Sequence, residues 1–113
     1  MILVLLESPL AGDVDRNVRY ARACMRDCLL RNEAPFASHL LYPQPGVLDD
    51  LVPEERVLGI KAGLEWGRWA DKTVAYVDLG VSPGMELGIA RAHVMGRTVE
   101  MRRLLGWGGG EHG

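Results

Sequence analysis

Residues 2–6, ILVLL, form an unbroken apolar run of branched side chains. A run that short and that apolar suits a strand buried on both faces, as in the centre of a parallel sheet. KTVAYVDL, residues 72–79, is a second run of the same type. Between and after them the chain changes period. Val14, Val18, Ala21, Met25 and Cys28 fall three or four apart, with Arg16, Arg19, Arg22 and Arg26 elsewhere on the wheel. That spacing predicts an amphipathic helix from about Asp13 to Arg31, capped by Asp13 or Gly12, with Asp15 at its positive end.

APFASHLLY supplies a short strand from about Ala34 to Ser38, and the prolines and glycine of PQPGVLDDLVP forbid regular structure after it. Pro53 suits the first turn of a helix through EERVLGIKAGLEWGRWA. Gly59, Gly63 and Gly67 then align on one face and permit close approach to neighbours. SPGMELGIARAHVMG reads as a third helix and RTVEMRRL as a last strand. Strict alternation of strand and helix implies an α/β fold. The expected form is a flavodoxin-like or Rossmann-like three-layer sandwich, with about four parallel strands in the order 2-1-3-4 and helices on both faces. Such sheets bind ligands beyond the carboxyl ends of their strands, where the winding reverses. Here the reversal brings the loop SPLAG beside DLGVSPGME.

A chain of 113 residues is expected to form one domain, over residues 1–105, followed by a disordered glycine-rich tail at 106–113. A net charge of -2 with scattered basic residues argues against a long nucleic acid as partner. No run approaches the length of a membrane span, and Glu7 interrupts the only candidate leader, so a cytoplasmic protein is expected. Cys24 and Cys28 lack metal-ligand or redox spacing and read as reduced structural thiols. Neither a metal nor a cofactor is expected.

The chemistry therefore has to come from the two loops. Ser8 offers a hydroxyl, Gly12 permits close backbone approach, and the following helix start favours a phosphate or a sugar hydroxyl. A plain strand-to-helix turn explains the same residues. In the second loop Ser82 and Pro83 read as N-cap and first helical residue. A capping box would want Glu or Gln at position 85, which is Met85, so Glu86 is not explained as a cap. Glu86 is expected on the Ser82 side of the helix, aimed at the strand ends between Gly84 and Gly88, where a carboxylate could act as nucleophile or hold a sugar. A solvated helix glutamate is the alternative. Asp78 could orient a ribose hydroxyl or cap its own turn. His39, expected at the end of the second strand, could bind substrate or be a satisfied structural histidine. His93 is expected on an exposed side, and Trp66 and Trp69 in the core or at a subunit contact.

ESPLAGDVDRNVRYA, PFASHLLY and above all ADKTVAYVDLGVSPGMELGIARAHVMGRTVE resemble the nucleoside 2-deoxyribosyltransferase-like superfamily, closest to a small phage and bacterial branch. The similarity runs to about Leu104. It implies a homodimer or larger homo-oligomer that cleaves or transfers the N-glycosidic bond of a nucleoside or nucleotide, with a glutamate nucleophile at Glu86. The MELG of this chain is similar to the YELG of 2'-deoxynucleoside 5'-phosphate N-hydrolases. The resemblance also implies that the elbow from Ser8 to Gly12 and Ser82 hold the sugar or its 5'-phosphate. Gly63 lies near the place where that family carries an aspartate that orients the sugar and assists the leaving base. A nucleotide-binding module without turnover is the alternative, and a purely structural assembly protein the third reading.

Overall fold

The computed structural model describes residues 1–107. In chain order the elements are β1 (Ile2–Glu7), α1 (Val14–Leu30), β2 (Glu33–Phe36), α2 (Ser38–Leu41), α3 (Pro53–Gly67), β3 (Lys72–Tyr76), α4 (Pro83–Val94) and β4 (Thr98–Arg102). The sheet is wholly parallel and ordered β2-β1-β3-β4, the expected topology. β1 is thus central, and the winding reverses on either side of it.

Strand parity sorts the sheet residues between two faces. Val4 and Leu6 of β1, with Val74 and Tyr76 of β3, pack against Tyr20, Cys24 and Cys28 of α1 to form the main core. On the other face, Leu5 meets Gly67 of α3 and Glu7 meets Gly88 of α4, which makes the third layer. The glycines of α3 serve as expected, each against a different neighbour. A Cβ at Gly59 would stand 3.2 Å from Leu48, at Gly63 2.9 Å from Ser38, and at Gly67 3.1 Å from Leu5.

Three boundaries differ from those read in the sequence. β2 begins at Glu33 and ends at Phe36, because Glu33 is drawn into a buried ion pair with Arg102. Residues 38–41 form a helical turn instead of continuing the strand, so His39 sits on α2. The chain also stays packed beyond residue 105, since the Trp107 ring meets Tyr20 edge-on at 5.0 Å. The remainder of the expected tail, residues 108–113, lies outside the described residues. Among the described residues no helix is long and apolar enough to cross a membrane.

The turn from β1 into α1 is fixed by its own side chains. Asn17 is buried in α1 and donates from Nδ2 to the carbonyls of Leu10 and Ala11, both at 3.0 Å. Gly12 adopts a φ of +99°, which disfavours any residue with a Cβ. Asp13 completes the turn by accepting from the Arg16 N–H at 3.2 Å. Asn17→Ala removes both donors and strands two carbonyls, so urea unfolding should show a loss of about 2 kcal/mol. An unchanged midpoint would mean that water replaces the amide without cost.

Candidate functional site

A cavity of about 300 Å³ opens at the carboxyl end of β1, between α2 and α3 on one side and the start of α4 on the other. That is the switch point expected from the strand order. Its floor is largely apolar, with Leu5, Ile60, Leu64 and Leu87 in the lining. A volume of this size accepts one ligand of roughly nucleoside dimensions.

Two polar groups meet in it from the β1 side. Ser8, 5% exposed, is joined to Nε2 of His39 by a 2.7 Å hydrogen bond. Burial holds the imidazole at a pKa of about 4, so it is neutral at physiological pH. Glu7 points to the opposite face of the strand, toward α4. Its carboxyl fills the space beside Gly88, where a Cβ would overlap it. Among the described residues nothing donates a hydrogen bond to that carboxyl or forms an ion pair with it. Burial raises its pKa from 4.5 to about 7, a shift that the positive charge of Arg97 only partly opposes. Arg97 itself is held by Thr73 Oγ1 at 3.0 Å and the Gly67 carbonyl at 2.7 Å. A half-buried carboxyl that lines a cavity, has no hydrogen-bond or ion-pair partner among the described residues and is raised toward neutrality has the properties of a reacting group.

The residues expected from the sequence are distributed unevenly around this cavity. Ser8, His39, Ser82 and Gly84 all line it. Ser82 caps α4, accepting from the Met85 N–H at 3.2 Å, while its own N–H donates to Met85 Sδ at 3.5 Å. A thioether thus takes the part that a glutamate plays in a capping box. Gly12 lies in an adjoining depression, between the elbow and residues 43–51.

Asp78 is not part of the cavity lining. Its carboxylate accepts from the Tyr20 hydroxyl at 2.6 Å and from the Leu104 N–H at 2.9 and 3.0 Å, which ties β3 to α1 and to the end of β4. The orientation expected for Glu86 is corrected likewise. Its side chain is exposed and outside the lining, because α4 turns Met85, Gly88 and Ala92 toward the sheet. Glu86 stands about 100° around the helix from Met85. Trp66 and Trp69 are 58% and 76% exposed, so neither is in the core, although Trp66 touches Phe36 with ring centroids 5.6 Å apart. His93 is exposed, as expected, and both cysteines are buried and free.

Sequence reasoning missed Glu7. Its place at the end of the first apolar run was visible, and parity would have put it on the same face as Leu5. At Gly63, the site of the expected departure, Ser38 occupies the space beside the helix.

No curated protein matches this chain. Among solved structures, a 2-deoxyribosyltransferase from the psychrotolerant bacterium Bacillus psychrosaccharolyticus is similar at a TM-score of 0.62 and 21% identity, over 92% of this chain and 74% of that one. The likeness is one of fold. It agrees with the four-stranded parallel sheet. A family model, that of the domain of unknown function DUF7768, matches residues 2–102, nearly the whole described chain, and the protein therefore belongs to that family.

Proposed function

We propose that the cavity binds a nucleoside or nucleotide and that Glu7 cleaves its N-glycosidic bond. The observation that carries this reading is the Glu7 carboxyl at the sheet's switch point, half-buried in the cavity and, among the described residues, without a hydrogen-bond or ion-pair partner. With the base against Leu5, Ile60 and Leu64 and the sugar toward Ser8 and His39, the anomeric carbon falls beside Glu7. A carboxylate oxygen of Glu7 bonds to that carbon as the bond to the base breaks. The electron pair leaves on the base nitrogen, which takes a proton from water. Water or a second base then attacks the same carbon, and the Glu7 carboxylate is released. The fold shared with a 2-deoxyribosyltransferase supports this class of reaction. The exposed Trp66 and Trp69 support a homo-oligomer.

Incubation with deoxynucleosides and their 5'-monophosphates, followed by chromatography of free base, tests the reading. Release should fall by roughly a thousandfold or more in Glu7→Gln, the scale of losing a nucleophile or general acid. It should stay within severalfold of wild type in Glu86→Gln. The reverse pattern would return the chemistry to Glu86. A binding module without turnover is favoured by one observation, the Ser38 side chain that stands against Gly63 where the resemblance implies an aspartate. No release from any compound, with melting still raised by one of them, would establish that reading instead.

A further inference from the structure

Among the described residues, the elbow's own contribution to the cavity, Ser8, Leu10 and Ala11, supplies no cation to receive a phosphate. Its hydroxyl, that of Ser8, is bonded to His39, whose imidazole burial keeps neutral. The start of α1, which could otherwise attract an anion, is already occupied by the Asp13 carboxylate, with Asp15 in the same turn. At the start of α4 the Ser82 hydroxyl accepts from the Met85 N–H.

The arginines lie elsewhere in the lining. Arg56 is paired with Asp50 at 3.0 Å. Arg97 bonds Thr73, which is level with Leu5, two residues below Glu7 and away from the elbow. Arg91 follows Gly88 by about one turn of α4, toward the carboxyl end of that helix.

A phosphate beside Ser8 would therefore meet a neutral histidine and a helix start already capped by Asp13, and would lose hydration without a charged partner on that side. An alcohol has no such cost. It both donates and accepts, so it satisfies Ser8 whichever of Ser8 and His39 supplies the proton of their shared bond.

We propose that the Ser8–His39 pair holds an uncharged sugar hydroxyl, so that the ligand of this cavity is a free nucleoside and not its 5'-phosphate. The proposal rests on the nucleoside reading of the cavity given above and narrows it.

Calorimetric titration of the wild-type protein with each deoxynucleoside, its 5'-monophosphate and its 5'-deoxy analogue tests it. The nucleoside should bind at least tenfold tighter than the monophosphate, and tighter than the analogue that lacks the hydroxyl. Ser8→Ala should weaken the nucleoside about tenfold and leave the 5'-deoxy analogue nearly unchanged. These ligand comparisons on the wild type stand even if the variant folds poorly. A monophosphate that binds as tightly as the nucleoside, or more tightly, overturns this proposal alone. Binding of none of the three overturns it together with the nucleoside reading.

Discussion

Glu7→Gln should make the protein more stable above pH 7 while removing its activity. The carboxyl of Glu7 is raised to about 7 chiefly by burial, so the native protein binds that proton more tightly than the unfolded chain does. Its contribution to stability is complete below pH 4.5 and is lost as pH climbs through 7. A shift from 4.5 to about 7 corresponds to roughly 3 kcal/mol once the group is fully ionised. Glutamine keeps the shape without the charge. Urea midpoints for wild type and variant should therefore coincide near pH 4 and separate steadily toward pH 8, with the variant higher. Parallel curves across that range would mean that water reaches the carboxyl freely and that its pKa is ordinary. A residue whose removal stabilises the fold while destroying turnover is the expected signature of a functional carboxyl held against its solvation preference.

Arg102→Met should cost about 3–5 kcal/mol, the largest loss expected from a single substitution in the core. Arg102 and Glu33 are 6% and 4% exposed and face each other in a two-pronged pair, both contacts at 2.7 Å. Arg102 also donates to the Tyr76 hydroxyl at 3.1 Å, and Lys72 reaches Glu33 at 3.1 Å. Removing the guanidinium leaves a buried carboxylate with only the lysine beside it. Replacing both residues, with Arg102→Met and Glu33→Leu, should recover most of the loss, since the desolvation cost disappears along with the attraction. A double variant as unstable as the single one would show that the cluster is needed to position its strands. Acid should act on the same group. Hydrogen bonds from Arg102 and Lys72 lower Glu33 to about 2, so its contribution is present above pH 4.5 and lost as pH falls toward 2. Glu7 and Glu33 thus tilt the stability profile in opposite directions, and its maximum should lie in the mildly acid range.

Much of the architecture was legible because period and order specify it. The apolar runs at β1 and β3, the helical spacing of α1 and the glycines of α3 were enough to give a parallel sheet and its switch point. Most discrepancies arise where a local pattern carries no record of direction. Val4, Leu5 and Leu6 are buried on both faces of β1, so the run shows no alternation, and parity places Glu7 with Leu5 without saying which helix covers that face. Counting from Ser82 placed Glu86 correctly along α4 but not around it. The inward stripe is Met85, Gly88 and Ala92, spaced three and four apart, and a glycine contributes no hydrophobic signal to that stripe. Asp78 sits at the mouth of the sheet, as its position suggested. Its partners Tyr20 and Leu104, however, are 58 and 26 residues away in sequence, and such long-range bonds are decided only when the chain folds. Glu33 was displaced into β2 by an arginine from the opposite edge strand, for the same reason.

The placement of Glu7 separates what the site does from what it recognises. The carboxyl is carried by the central strand, paired with Ala75 on β3 and backed by Val4 and Leu6 in the main core. The groups that would contact the rest of a ligand come from the elbow, the short α2, residues 43–50 and the loop before α4. Substitutions and insertions are tolerated in such connecting segments and resisted in a central strand. Changes in the loops of this chain can therefore alter which compounds the cavity accepts, while the acid on β1 keeps its position and its proton affinity.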